Sequence, residues 1–455
     1  MDKMTLSEIA SAVGAACPAE GETAVSSVCI DSRAIQPGCL FVAIKGENFD
    51  GHAFVRSALS AGAAAALCSD EIPDAPGPVL LVEDTVRAMG ALAAYNRSKY
   101  DIPLVGLTGS VGKTTSKDMV AAVLSRHYKT LATEGNLNNE IGLPRMCLRL
   151  DGSCEAAVIE MGMNNFGEIS RLTAIARPTI GLITNIGVSH IERLGSREGI
   201  LKAKLEILEG MAPDAPIVLN GDDDMLMSAA DKLERPVVLY GIHNTAADCV
   251  ASDIQQLEGE LRFTLTYKDV KRDIILPTVG MHNVYNACAA FVCGMLAGVS
   301  ADEAVAGLAG YVPDGRRQKF TRKNGITFIE DCYNASPDSI RASLSVLASS
   351  PCEGRRIAVL GDMLELGDYA PTAHSDCGRM AAENGIDLLL AYGTNARYYV
   401  EGAGDSVESR LYDDKAKLAD DLYELLSQGD TVLFKASRGM KLEDVFNAIY
   451  AKMDC

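Results

Sequence analysis

No stretch of the chain is long and apolar enough to act as a membrane anchor, and its first sixteen residues, MDKMTLSEIASAVGAA, lack the basic head and continuous apolar run of a signal peptide. They predict an amphipathic helix instead, and a protein that stays in the cytoplasm. No C-x-x-C pair occurs among the 13 cysteines. An odd number of scattered thiols argues against a disulfide framework, so most are expected to be small, reduced core residues. Basic residues are in deficit: 42 Lys and Arg face 61 Asp and Glu, a formal charge of −19. That balance opposes nonspecific binding to nucleic acid or to an anionic membrane, both of which attract proteins through Lys and Arg. Any phosphate ligand therefore needs local compensation from backbone N–H groups, a few placed cations or metal ions. Internal repeats and low-complexity tracts are missing too, and a chain that is 48% hydrophobic and 23% charged is an ordinary folded one.

The length of 455 residues suggests three domains, at roughly 150 residues each. Residues 1–98 hold short apolar runs, Cys39 to Ile44 and Val79 to Val82, with an Ala-rich helix expected around Val55 to Leu67, a small α/β pattern. Residues 99–312 alternate apolar strands with helices: Leu104 to Leu107, Ala157 to Ile159, Ile180 to Thr184 and Ile217 to Leu219. Such alternation predicts a mainly parallel, helix-covered sheet. Residues Val250 to Ile275 read as antiparallel strands at its edge, and a long helix follows from about Val284 to Ala297. A linker at residues 311–316, with a Pro and a Gly, leads into a third region, 313–455. Its apolar runs at Thr327 to Ile329, Ile357 to Leu360, Leu388 to Ala391 and Thr431 to Phe434 suit another open α/β sheet, yet no G-x-G-x-x-G follows any of them.

The strongest local feature is the strand pattern Leu104 to Leu107 running into Thr108-Gly109-Ser110-Val111-Gly112-Lys113-Thr114-Thr115. Gly109 and Gly112 let backbone N–H groups approach phosphate oxygens, Lys113 reaches the β and γ phosphates, and the Thr114 hydroxyl ligates Mg²⁺. The generic pattern has Gly where Leu107 stands. Such a loop needs an acidic partner on a neighbouring strand, and Glu160 ends the run Ala156 to Ile159 at the edge where open α/β sheets bind ligands. The acidic triplet Asp222 to Asp224 follows Asn220-Gly221 and reads as a solvated turn, without a site role.

Further segments stand in order behind the loop: Gly135-Asn136-Leu137-Asn138-Asn139 with Gly142 and Pro144, Glu160-Met161-Gly162, Asn185-Ile186-Gly187-Val188-Ser189-His190, Ala203-Lys204, His282-Asn283-Val284-Tyr285-Asn286-Ala287 and Gly315-Arg316. This ordered set closely resembles the Mur ligase family over nearly the whole chain, and that family's phosphate loop lacks the first generic glycine. The resemblance implies a small N-terminal α/β domain that binds a UDP-linked substrate, a central P-loop parallel-sheet domain that binds ATP, and a C-terminal Rossmann-like domain. It implies an ATP-dependent ligase that activates a carboxylate as an acyl phosphate and joins it to an amine. Three segments resemble the members that add D-alanyl-D-alanine to a UDP-N-acetylmuramoyl-tripeptide: Asp31-Ser32-Arg33 with residues 38–46, Leu360 to Gly367, and Lys435 to Met440. The D-N-P-R signature of the ligases adding the third amino acid is absent. Another Mur-type ligase with a different amine, or a nucleotide-binding scaffold without the chemistry, are the alternatives.

By the same resemblance, Lys113, Glu160, His190 and Lys204 are the catalytic group, and Thr114, Glu160, His190 and Lys204 hold Mg²⁺, with Lys204 carbamylated to become an anionic ligand. Without the resemblance Lys204, near Glu206, reads as a solvated helix lysine, and His190 as an ordinary histidine. Gly109, Ser110, Gly112, Lys113, Thr114, Thr115, Asn283, Arg316 and Asp331 are expected to meet ATP. Ser32, Arg33, Lys45 and Gly46 are expected to face the UDP moiety. Asn138 and Asn139 also line the substrate side, while Lys435, Ser437 and Arg438 lie near the incoming dipeptide. The expected partners are these small molecules alone, and the chain is expected to be a monomer.

Overall fold

The computed structural model describes residues 1–46, 49–257, 259–313 and 318–454. The opening amphipathic segment forms the helix Leu6–Val13, whose start is fixed by a capping box between Thr5 and Glu8. A four-stranded parallel sheet follows, Ser27–Cys29, Cys39–Val42, Ala65–Cys68 and Val79–Leu81 in spatial order. The helix expected over Val55 to Leu67 stops early: it spans Val55–Ser60, and Ala65–Cys68 is a buried strand of the sheet. An Ala-rich run has the same apolar signature in either state, and Gly62 at φ 106 breaks it.

The central region is built on nine strands, in the order Val270–Leu276, Glu260–Tyr267, Cys249–Leu257, Val237–Gly241, Ile217–Asn220, Ile180–Ile183, Leu104–Thr108, Ala156–Glu160 and Thr130–Ala132. The last seven are parallel, and the first three form the expected antiparallel edge. Leu104–Thr108 and Ala156–Glu160 are buried along their whole length, as strands covered on both faces must be. One face is covered by the helices Lys113–Leu124 and Met281–Leu296, which join the sheet in one apolar cluster through Val120, Leu182 and Phe291. The other face shares a cluster with the first region, running from Leu6 and Leu40 through Met89 to Ile159 and Leu172. Helix Thr85–Ser98 ties the two together: Asn96 donates to the carbonyls of Cys147 and Leu150, and Arg97 to that of Ala176.

The third region is a six-stranded sheet ordered Lys319–Lys323, Ile326–Asp331, Thr431–Lys435, Arg356–Gly361, Leu388–Tyr392 and Glu408–Tyr412, parallel except for the first strand. The α/β expectation therefore holds in each region. The described cysteines are all unpaired and most are buried. Among the described residues no helix is long and apolar enough to cross a membrane.

Candidate active site

Strand Leu104–Thr108 delivers the chain to a loop at residues 109–112, and helix Lys113–Leu124 begins immediately after it, so the N–H groups of the helix's first turn open onto the loop. Two glycines make this path possible. A Cβ on Gly109 would stand 1.9 Å from Thr184 Oγ1, and one on Gly112, at φ 83, would stand 2.9 Å from Asn286 Oδ1. The close approaches are braces. Thr184 Oγ1 and Asn185 Nδ2 both donate to the Val111 carbonyl, at 2.7 and 2.9 Å, and Val111 N–H returns a 2.9 Å bond to Asn185 Oδ1. Ser110 accepts from Gly187 N–H at 2.9 Å, and the Lys113 ammonium curls back to the Gly109 carbonyl at 2.8 Å. The loop is thus pre-shaped by the strand-end segment Thr184 to Gly187. Asn286 packs against Gly112 and accepts from Ser116 Oγ at 3.0 Å. Asn185 belongs to a segment legible in the sequence, but nothing there revealed that its work is to hold the loop.

Parallel register places Leu107 opposite Glu160, which brings that carboxylate beside the loop. Glu160 is 2% exposed; Oε1 accepts from Asn138 Nδ2 at 2.7 Å, while Oε2 is buried with no hydrogen-bond partner among the described residues. A carboxylate oxygen in that condition fits a bound dication, and the Thr114 hydroxyl on the same cavity wall would be a second hard oxygen for such an ion. Asn138 thus orients Glu160. Asn139 Oδ1 accepts from Ile141 and Gly142 N–H, fixing the start of the helix Gly142–Cys147.

Lys204, on the helix Arg197–Leu205, is 2% exposed rather than solvated. Burial first, and then repulsion from Lys113, hold its ammonium well below the ordinary lysine range, so the neutral amine is favoured. His190 stands at the start of the short helix Ile191–Leu194 with φ 65, an uncommon backbone for a residue with a side chain. Burial and then Lys113 lower its pKa, against the pull of Glu365. Its Nδ1 lies 2.8 Å from Glu365 Oε2.

A cavity of about 420 Å³ between the central and third regions brings together the loop, Glu160 and His190; Lys204 is not among its lining residues, though it lies near enough to Lys113 to be repelled by it. The loop from Ser110 to Thr115, Asn138, Asn139, Glu160, His190 and Asn283 line it on one side; Asp331 and Lys435 line the other. Asn283 is nearly buried and donates to the Val279 carbonyl at 2.7 Å. Lys435 faces this cavity, not the second one: its buried ammonium donates to Asp331 Oδ2 at 2.8 Å and to the Asn334 carbonyl at 2.9 Å. Ser343 completes Asp331 at 2.7 Å. His282, also on the wall, has its imidazole pushed down to about 4 by burial, so it is neutral at pH 7.

A second cavity, about 330 Å³, adjoins the first through His190 and Asn136 and reaches Glu365, Ser437 and Arg438. Ser32, Arg33, Lys45 and Gly46 line neither. In the first region Arg33 forks onto Asp31 at 2.9 and 2.7 Å, and Lys45 lies between Asp50 and Asp70 at 3.8 and 3.7 Å. Arg316 lies outside the described residues.

Comparison with known proteins places this geometry in a family. Three family descriptions match along the chain: the Mur ligase family catalytic domain at residues 24–97, the Mur ligase middle domain at 107–294, and the Mur ligase glutamate ligase domain at 315–438. The UDP-N-acetylmuramoyl-tripeptide–D-alanyl-D-alanine ligase of Bacillus subtilis (strain 168) is 40% identical over 453 residues, covering 98% of each chain. Its counterpart from Escherichia coli (strain K12) is 37% identical over 438 residues, 95% of each. Among solved structures, a crystal structure of MurF from Acinetobacter baumannii superposes with a TM-score of 0.91 at 33% identity, covering both chains fully. The MurF ligase of Thermotoga maritima in complex with ADP gives 0.85 at 29% identity, over 94% of this chain and 98% of that one. With three consecutive domain matches and relatives aligned end to end, the chain belongs to the Mur ligase family and is an ATP-dependent ligase.

Proposed function

We propose that the chain joins D-alanyl-D-alanine to a UDP-N-acetylmuramoyl-tripeptide with consumption of ATP, in the cytoplasm, as a step of peptidoglycan assembly. The observation that carries this reading is the cavity that sets the phosphate loop and Glu160 across from the Asp331 and Lys435 wall. The names of the relatives from B. subtilis and E. coli support the choice of substrates. We assign residues 1–98 to the UDP-linked substrate, 99–312 to ATP, and 313–455 to the amine and to closure.

A carboxylate does not react with an amine in water, because hydroxide is a poor leaving group. Transfer of the γ-phosphoryl group to the tripeptide carboxylate gives an acyl phosphate and ADP; the amine then attacks the carbonyl carbon, phosphate leaves, and the amine proton is lost. Both reactants of the first step are anions, so positioning and charge neutralisation dominate. The N–H groups at the start of the helix, from Gly112 to Thr115, and the Lys113 ammonium cradle the phosphates. Thr114 and Glu160 would hold one Mg²⁺, and His190 with Lys204 a second, the ions supplying charge neutralisation between the two anions. The Lys204 role requires an oxygen, and the neutral amine favoured by its burial is the form that adds carbon dioxide to become a carbamate. Asp331 and Asn283 would meet the nucleoside, and closure of the third domain excludes water from the acyl phosphate.

The test is phosphate release by purified protein given ATP, Mg²⁺ and the UDP-linked tripeptide. Release should depend on D-alanyl-D-alanine; equal release with a single amino acid would refute the substrate assignment. Lys113→Ala should lower the rate by about 10²- to 10³-fold, the usual cost of one lost transition-state contact.

A further inference from the structure

Lys117 is a buried cation to which the phosphoryl-transfer scheme gives no task. It lies on helix Lys113–Leu124, one turn beyond Lys113, and is 5% exposed. A methionine in its place would fill the same space without the cost of taking an ammonium out of water, so the partners of the charge tell what it is there for. Its Nζ donates to the Thr133 carbonyl at 2.9 Å and lies 2.5 Å from Asp118 Oδ1. The helix that follows the phosphate loop is thereby tied to the end of strand Thr130–Ala132.

Thr133 leads from this ammonium to Glu160. It is fully buried; its N–H donates to the Val158 carbonyl at 3.0 Å, and its hydroxyl accepts from Glu160 N–H at 3.0 Å. Five residues on, the Asn138 side chain donates to Glu160 Oε1, and the Asn138 carbonyl accepts from Gly162 N–H at 2.8 Å. One loop, residues 133–138, therefore grips Glu160 by its backbone at one end and by its carboxylate at the other. Thr114, which offers the other oxygen to the ion, stands on the helix, so the two sides of the ion site belong to separate elements that Lys117 joins. Asp118 lines the same cavity, one turn beyond Thr114. A second carboxylate there would compete with Glu160 for a dication, and the Lys117 ammonium occupies it.

Resting on the Thr114 and Glu160 ion site above, we propose that Lys117 is a positioning residue for Mg²⁺. It fixes the spacing between the Thr114 hydroxyl and the Glu160 carboxylate, and it keeps Asp118 from drawing the ion away. It touches neither nucleotide nor metal. Groups that orient metal ligands from behind in this way set the affinity of the ion as well as its place.

The experiment is calorimetric titration of the full chain with a non-hydrolysable ATP analogue, once with Mg²⁺ and once with EDTA. The ratio of the two affinities reports the ion, and the affinity in EDTA reports the phosphate loop alone. Lys117→Met should lower the ratio by about 10-fold, the lower end of what loss of a ligand-orienting group costs, and leave the affinity in EDTA unchanged. Charge alone predicts the reverse, because removing a cation should draw a dication closer. Thr133→Val removes the hydroxyl that receives Glu160 N–H but keeps the carbonyl that receives Lys117; it should lower the ratio likewise, and it carries the test if Lys117→Met does not fold. In both variants the Mg²⁺ concentration for half-maximal phosphate release should rise by the same factor. A ratio unchanged or raised in folded Lys117→Met, or unchanged in Thr133→Val, would overturn the assignment. So would an equal loss of affinity with and without Mg²⁺, since Lys117 would then serve the phosphate loop only. A wild-type ratio of one would instead remove the Thr114 and Glu160 ion site itself.

Discussion

Two acidic segments end strands of the same central sheet and look alike in sequence: Glu160 closes Ala156–Glu160, and Asp222 to Asp224 follow Ile217–Asn220. Their surroundings differ completely. Asp222 accepts the N–H groups of Ile242, His243 and Asn244 and the Tyr285 hydroxyl, at 2.6 to 2.9 Å. Asp223 accepts from Ile186 and Leu226, and Asp224 pairs with Arg197 at 2.6 Å. The triplet is therefore a junction, not the solvated turn its composition suggests, and through Ile186 it steadies the segment that braces the phosphate loop. Glu160 is more deeply buried yet keeps one oxygen without a donor among the described residues. Saturated carboxylates build the fold, whereas a buried unsaturated one is a cost the fold carries for a ligand.

The largest test of that distinction is on the ligand side. Lys204→Ala should abolish turnover, and short carboxylic acids added to the variant should restore part of it by standing in for a carbamate oxygen. Turnover that survives the substitution, or an unmodified lysine in the intact mass of active enzyme, would contradict the role. Glu160→Gln should come next, with turnover down by about 10²- to 10³-fold. Thermal stability should not fall, because the amide keeps the volume and loses only a charge that burial penalises. A lower melting temperature would show that Glu160 serves the fold after all.

The wall facing Glu160 has the opposite design, its charges satisfying each other. Lys435→Met removes the ammonium that pairs with the buried Asp331 carboxylate, to which Ser343 still donates, and should cost about 3–5 kcal/mol of stability. Adding Asp331→Asn to that variant should recover part of the loss, measured by denaturant unfolding. Additive losses would mean the two groups are not coupled.

Much of this was legible in the sequence where burial is total. Strands Leu104–Thr108, Ala156–Glu160 and Thr431–Lys435 are covered on both faces and read as unbroken apolar runs. The edge strands Lys319–Lys323 and Glu408–Tyr412 form no such run, because they carry charge toward solvent. The phosphate loop was legible because glycine, lysine and threonine at fixed spacing have one common use. The brace Asn185 was not, since an asparagine in a motif does not say whether it meets ligand or backbone. Lys435 shows the same limit: its motif is plain, but only the parallel register with Asp331 reveals which cavity its ammonium faces. The second cavity has no linear signature at all, being assembled from loops of two regions.

Asp222→Asn offers the smallest effect and the sharpest contrast with Glu160→Gln. The amide retains one acceptor oxygen where the carboxylate has two receiving four donors, so the variant should lose about 1–3 kcal/mol of stability at pH 7. Turnover at a temperature where both proteins are folded should be unchanged. Burial tends to raise the Asp222 pKa, but the backbone donors of His243 and Ile242 and the Tyr285 hydroxyl outweigh it, and the folded value lies below the usual one. A lowered folded pKa means that the unfolded chain binds the proton first as pH falls. The stabilisation is thus fully present above the unfolded value of about 4 and drains away as pH drops through the folded one. The stability gap between wild type and Asp222→Asn should therefore narrow from pH 7 toward pH 3. A gap that stays constant over that range would show that the carboxylate charge is not what the three N–H groups and the tyrosine recognise.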